Sequence, residues 1–349
     1  MKKIAIIGSG FFGIASALIL SKKNIIHIYE KKNTILCGAS RANQMRFHKG
    51  YHYPRSIKTV KEINQSNRDF EKYFKSAIYN TKNYYGISKK NSKTSFTKYL
   101  NFLTKNKLKY LFEGKKYFSN NIEGVIKSQE KILNYFQAKK IIHKKIKKIK
   151  NIKVFLNTKF KKNYIKNYDQ VIVCTYDQNN NILNTLGVKP KRKFKFELIE
   201  KILIKLPKKF NKKSYMVLDG KFVCVDPYLN TDYHLLSDNL NSKLEVQKSY
   251  YPDFKDKRAK FVNQPPFYYL KKSNYKKFVK NGKKYLPFLA KSKYIKSFFV
   301  TRAVELGKEK TDERLSKVER VNNNIYTVFS GKWNTCIGVA KKLEKIITN

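Results

Sequence analysis

The chain has 349 residues, 41% of them hydrophobic, enough for a sizeable buried core in one large or two ordinary domains. No apolar run reaches membrane-spanning length, and four scattered cysteines (Cys37, Cys174, Cys224, Cys336) without CxxC spacing suggest neither a metal knot nor a disulfide framework. The 77 Lys+Arg against 24 Asp+Glu leave a net charge of +53, a field that attracts nucleic acid, anionic lipid or phosphorylated ligands.

Lys3 to Ile7 (KIAII) is a β-branched run ending at Gly8, as a buried parallel strand would be. Because this strand begins at residue 3, no signal peptide is expected, and a cytoplasmic location follows. Gly10 to Leu20 reads as a helix with Gly13, Ala15 and Ala17 towards a sheet, and Ile25 to Tyr29 as a second strand closed by Glu30. In Gly8-Ser9-Gly10-Phe11-Phe12-Gly13, Gly8 permits a tight turn, Gly10 lets the backbone approach a pyrophosphate, and Gly13 allows close helix packing. The amides of Phe11 and Phe12, at the helix N-terminus, would face the phosphates. Glu30 is placed for ribose hydroxyls and disfavours a 2′-phosphate, which argues against NADP. The alternative is a glycine turn that binds nothing. Strand, turn, helix, strand and acid coincide within about 30 residues, and that context favours a dinucleotide.

After a loop from Lys31 to Ser40, residues 40–56 (SRANQMRFHKGYHYPRS) are rich in polar and aromatic side chains. His48, His52, Tyr53 and Arg55 fall within this stretch, although the chain has only 5 histidines. Histidine can take or give a proton near neutrality, and arginine can hold a carboxylate or phosphate in its fork. These four are candidate catalytic residues; buried histidines bonded to backbone are the alternative. Ile57 to Lys75 reads as a surface helix with Val60, Ile63, Phe70 and Phe74 inward. Tyr79 to Phe118 mixes short strands with a helix near Lys93 to Lys105, and Ser128 to Ile146 reads as a further helix. Its lysine-rich end, His143 to Lys150, suits a solvated face. Such basic residues are spread along the chain, and Lys, Asn, Ile and Tyr are all abundant. That pattern reads as the bias of an AT-rich genome with incidental polyanion affinity; a dedicated nucleic-acid surface is the alternative.

Strands are expected at Val154 to Asn157 and Val171 to Thr175 (VIVCT), the second fully apolar. From Phe194 to about Leu270 the pattern turns antiparallel, with Asp219-Gly220 as a hairpin turn within Tyr215 to Asp226. Two architectures imply two domains. Asp226, Tyr228 and His234 are candidates for one wall of a cavity, while Asp219 simply makes its turn. Arg302, after the strand-like Phe298 to Thr301, is a candidate carboxylate binder, or pairs with Glu305 or Asp312. The chain ends with a strand at Ile325 to Phe329, a turn at Ser330-Gly331 and a helix from Asn334 to Ile347.

Three landmarks, together spanning nearly the whole chain, resemble the FAD-dependent oxidoreductases of the D-amino-acid oxidase superfamily. They are the glycine turn with Glu30, the Tyr168-Asp169-x-Val171-Ile172-Val173-Cys174-Thr175 strand, and the Thr327-Val328-Phe329-Ser330-Gly331 turn with its helix. Residues 43–56, 218–228 and 329–332 look like a bacterial branch of these flavoproteins suspected of acting on surface-sugar or related small metabolites. Tyr176 stands where the family has glycine, Lys332-Trp333-Asn334 where many relatives have His-Ser or Asp, and no lysine matches the one that activates oxygen in sarcosine oxidases.

The resemblance implies an α/β fold: a Rossmann-like, doubly wound, discontinuous FAD-binding domain (1–85, 128–190, 298–349) with an inserted antiparallel-sheet substrate domain (86–127, 191–297). FAD would be held by Gly8, Gly10, Phe11, Phe12, Gly13, Glu30, Lys31, Ser40, Asn43, Gln44 and Thr175. At the far end, Gly331, Lys332, Trp333, Asn334 and Thr335 would meet the ring, the amides and the lysine favouring negative charge on it. Trp333 packs either on the isoalloxazine or in the core. The expected reaction is oxidation of a small amine, amino acid or sugar-type metabolite by hydride transfer to flavin, with no metal. A non-redox nucleotide-sugar mutase and an RNA-modifying flavoprotein are the alternatives.

Overall fold

The structure, a computed structural model, describes residues 1–348. Its first part carries β1 (Lys3–Ile7), α1 (Phe11–Leu20), β2 (Ile25–Tyr29), β3 (Arg46–Phe47), α2 (Ile57–Phe74), β4 (Ile78–Asn80), β5 (Lys82–Ser88) and α3 (Phe96–Lys105). There follow β6 (Tyr110–Glu113), β7 (Ile122–Ser128), β8 (Lys131–Leu133), α4 (Tyr135–Lys148), β9 (Ile152–Phe155), β10 (Gln170–Val173) and α5 (Asn179–Thr185). The remainder holds β11 (Phe194–Lys205), β12 (Lys213–Leu218), β13 (Val223–Tyr228), β14 (Tyr233–Asp238), β15 (Lys243–Ser249), α6 (Tyr275–Gly282), β16 (Lys293–Glu305), β17 (Lys317–Arg320), β18 (Ile325–Phe329) and α7 (Cys336–Thr348).

A six-stranded sheet runs in the order β17-β18-β10-β1-β2-β9, parallel except for the antiparallel edge strand β17. Its central strands β1, β10 and β18 are largely apolar on both sides because both sides are covered. Ile4 and Ile6 of β1 face the core shared with α1 and α7, while Ala5 and Ile7 face a second cluster with Leu183 of α5. The first and last segments of the chain therefore meet in one layer.

A nine-stranded sheet follows the order β15-β11-β14-β13-β12-β5-β7-β6, with β16 on the other edge of β11. It is antiparallel apart from the β12–β5 pair. The expected hairpin forms: β12 and β13 pair through Tyr215↔Val225 and Met216↔Cys224 across the Asp219-Gly220 turn. A small, separate sheet has the order β3-β8-β4.

Two expectations shift. Residues 128–146 are not one helix, because β8 intervenes and Asn134 caps the helix after it, its side chain accepting the Gln137 N–H at 3.1 Å. The changeovers expected at 85/86 and 297/298 fall inside β5 and β16, whose full lengths lie in the nine-stranded sheet. Strand pairing decides sheet membership, and pairing is not visible in local composition.

Candidate functional site

The turn after β1 leaves no room for side chains. Gly8 has φ +97, and a Cβ on it would lie 2.8 Å from the Cys174 carbonyl oxygen. A Cβ on Gly13 would lie 1.9 Å from the Gly8 carbonyl oxygen. At Gly10 the nearest atom to an added Cβ is Ser40 Oγ, at 3.2 Å, so the helix N-terminus opens outward. Ser40 Oγ accepts the Phe11 N–H at 3.3 Å. The side chains of Phe11 and Phe12 are buried, which leaves only their backbone at the turn. Thr175 donates its N–H and its hydroxyl to Asn179 Oδ1, at 2.8 and 3.0 Å.

Glu30 is braced against this turn. It accepts the Ser9 N–H at 3.1 Å, the Ser9 hydroxyl at 2.6 Å and the Lys32 N–H at 3.0 Å. Beyond it lies a cavity of about 360 Å³ lined by Lys31, Lys32, Cys37, Arg41 and Asn263 among others. Arg41 Nε and Asn263 Oδ1 are buried there without a hydrogen-bond partner. Orphaned buried polar atoms are uncommon in folded proteins and mark room for a ligand. A glycine cradle, an outward helix N-terminus, a braced acid and a cationic cavity suit the diphosphate and adenosine of a dinucleotide.

Tyr176 holds φ +59, the left-handed conformation a glycine would take at low cost. Its hydroxyl donates to the Ala303 carbonyl at 3.2 Å and accepts the Ala303 N–H at 3.1 Å, which fixes it against β16.

At the far end, Gly331 lies under a close crossing, since a Cβ there would be 2.1 Å from the Arg314 carbonyl oxygen. Its N–H is taken by Ser316 Oγ at 3.0 Å, and the Thr335 N–H by the Lys332 carbonyl at 3.0 Å. The expected row of five free amides thus shrinks to Lys332, Trp333 and Asn334. Ser316 is itself held by Glu62, which accepts its N–H at 3.1 and 3.2 Å; burial pushes that carboxyl up to about 7. Trp333 packs in the core, 5.4 Å from the Phe11 ring and 5.1 Å from Phe70. Asn334 donates to the His48 carbonyl at 3.2 Å and to Asn67 Oδ1 at 2.7 Å, tying the last turn to residues 40–56.

Within that segment Asn43 shapes the turn, accepting the Met45 N–H at 2.7 Å. Gln44 points towards the nine-stranded sheet, donating to Asp226 Oδ2 at 3.1 Å and to Cys224 Sγ at 3.0 Å. Sequence reading missed Arg46. Its guanidinium is fully buried, 2.5 Å from Asp226 and 3.5 Å from Glu130, and bonds Ser214 Oγ at 2.8 Å. Glu130 also accepts the Tyr85 hydroxyl at 2.5 Å and the Lys49 N–H at 2.8 Å. Although burial opposes its charge, His48 and Arg46 hold this carboxyl down to about 2. An arginine between Met45 and Phe47 was the available signal; its partners were not visible.

His48, His52 and Tyr53 do come together, with ring centroids 5.1–5.8 Å apart. Burial lowers His48 to about 4 despite Glu130, and lowers His52 well below the ordinary range. Burial thus favours the neutral form of both rings. Lys332 lies 4.7 Å over the Tyr53 ring; burial and then Arg314 lower it to about 7, against the pull of Asp312.

Two arginines are engaged elsewhere. Arg55 forks onto Asp219 at 2.6 and 3.1 Å, joined by the Thr94 hydroxyl at 2.9 Å, so Asp219 does more than make its turn. Arg302 bonds Glu197 at 2.5 Å, neither Glu305 nor Asp312. His234 is sealed in the sheet interior, and Tyr228 packs on Phe298 and Phe136. Several buried polar atoms here have no hydrogen-bond partner: His52 Nδ1, Tyr53 Oη, Arg314 Nη1 and Asn334 Oδ1, as well as His48 Nδ1, which faces Glu130 at 3.6 Å. All but Arg314 lie on the two segments that Asn334 ties together.

No family model and no curated protein matches the sequence. Among solved structures, the chain is similar to L-proline dehydrogenase from P. horikoshii (TM-score 0.75, 13% identity, 99% of this chain and 93% of that one). It is also similar to FAD-bound L-α-glycerophosphate oxidase from Mycoplasma pneumoniae (0.73, 13%, 100% and 96%) and to glycine oxidase from Geobacillus kaustophilus (0.68, 10%, 100% and 94%). The chain shares the fold of these three proteins over nearly its whole length. Among the described residues no helix is long and apolar enough to cross a membrane, and no group of three or more metal-ligating side chains is found.

Proposed function

We propose that this chain binds FAD and oxidises a small amine, amino acid or sugar-type metabolite by hydride transfer. The observation that carries the reading is the meeting of the two chain ends: α1 packs on α7, and Phe11 of the glycine turn touches Trp333 of the last turn at 5.4 Å. Bound FAD would accept the hydride; the protein supplies orientation, charge and exclusion of water. Gly8, Gly10, Gly13 and Ser40 would hold the diphosphate, with Glu30, Lys31 and Arg41 at the adenosine end. Lys332 and the amides of Trp333 and Asn334 would favour negative charge on the ring. The substrate would meet His48, His52, Tyr53 and Arg314, whose unpartnered atoms can orient it.

The test is the visible spectrum of the purified protein, followed by anaerobic addition of amines, amino acids, sugars and nucleotide-sugars. Bleaching of a yellow protein by one of these identifies the substrate class. A colourless protein that takes up no FAD overturns the reading.

A second outcome concerns pH. The Lys332 ammonium is lost near pH 7, so the rate of flavin bleaching should fall as pH rises through about 7. In Lys332→Met the rate should be low and without that inflection. The lowered value also means that folding releases a proton between about 7 and the ordinary lysine range, so this group makes stability rise with pH there.

A further inference from the structure

A second cavity, of about 640 Å³, lies beside β6, away from the flavin site. Leu103, Leu108 and Leu111 give it an apolar lining, and Lys107, Lys109 and Lys127 are its charged members. Among the described residues β6 pairs only with β7, which leaves its other edge open. On it Leu111 and Phe112 are 64% and 68% exposed, pointing to opposite faces, and an approach along the edge meets both. Exposed Lys115 and Lys116 follow, with Glu113 and Glu123 as the nearby acids.

Adjacent large apolar side chains beside an apolar cavity mark an interaction surface. A second copy of the chain would bring the same lysines and another +53 against them. RNA would leave Leu111 and the leucine-lined cavity unused. An anionic bilayer satisfies both halves of the surface. We propose that the β6 edge docks this protein on anionic phospholipid, with Leu111 and Phe112 entering the headgroup–acyl boundary and the lysines meeting the phosphates. The docked face is joined to the candidate site: the Tyr51 hydroxyl donates to the Lys109 carbonyl and accepts the Gln129 N–H at 3.4 Å. Tyr51 sits between His48 and His52 in the chain, so these hydrogen bonds link the edge to the segment that carries them.

The proposal is independent of the flavin, and so is its test. Co-sedimentation is measured with vesicles of phosphatidylcholine alone and with added phosphatidylglycerol. The wild-type protein should sediment with the mixed vesicles and far less with phosphatidylcholine. Leu111→Asp with Phe112→Asp should lose at least about tenfold in affinity, although it takes only two charges off +53. Leu111→Ser with Phe112→Ser, which changes no charge, should lose a comparable amount, and the distant exposed Leu240→Asp nothing. Equal thermal melting of these variants confirms their folding. Wild-type binding from both exposed-pair variants would mean charge alone drives adsorption and would overturn the proposal. So would an RNA duplex whose binding, rather than that of vesicles, depends on Leu111 and Phe112.

Discussion

Replacing Arg46 by methionine is expected to destabilise the protein by about 3–5 kcal/mol, because it leaves two buried carboxylates without their cation. Arg46 lies 2.5 Å from Asp226 and 3.5 Å from Glu130, with every side chain fully buried. A buried pair contributes little when whole, since desolvation offsets its attraction, but removing one partner exposes the full cost of the other. The sign of the pH dependence follows. In the wild type Glu130 is held at about 2, so its contribution is present above the ordinary carboxylate range and lost as pH falls towards that value. In Arg46→Met the carboxyls lose this support and rise, so the variant weakens as pH increases from about 4. The gap between the two proteins should be largest at neutral pH and narrow in acid. Urea unfolding across pH measures it, and adding Asp226→Asn to Arg46→Met should recover part of the loss. A cost below about 1 kcal/mol would show that Arg46 is not the counter-ion of this network. Because β3 runs straight into His48, the variant should also loosen the segment that carries His48, His52 and Tyr53.

Gly10→Glu should abolish flavin retention while leaving the fold in place. The two outcomes separate because the glycines of the turn are unequal. An added Cβ at Gly13 would strike the Gly8 carbonyl at 1.9 Å, whereas at Gly10 it meets only the Ser40 hydroxyl at 3.2 Å. A carboxylate at Gly10 stands before the N-terminus of α1, where it competes with the diphosphate for the same amides and repels it. FAD affinity should drop by more than about a hundredfold. The measurement is flavin absorbance after gel filtration, with melting compared between the two proteins freed of cofactor, since bound ligand itself raises stability. A yellow Gly10→Glu protein would show that this turn does not hold the diphosphate.

The two ends of the chain were the most legible. β1, β2 and β18 have the bounds expected of them, and α1 begins one residue later than expected. Each is a short element whose identity is written locally, in β-branched runs or in glycine spacing. The middle was less so, because β12 pairs with β5 from more than a hundred residues earlier and the 128–146 stretch hides a strand. Within the candidate site, side-chain types were legible and their duties were not. Arg55 and Arg302 looked like anion forks but are occupied by Asp219 and Glu197. Lys332 was expected at the ring for its charge, but its enclosure beside Arg314 was not visible in the sequence.

By itself, the sequence determined the glycine turn, the strands of the parallel sheet and the presence of a second, antiparallel system, because these depend on short-range periodicity and backbone freedom. Only the tertiary structure decided which charges pair, which histidines stay neutral and which amides remain free. Those properties depend on distance and burial between residues far apart in the chain, and no local pattern encodes them.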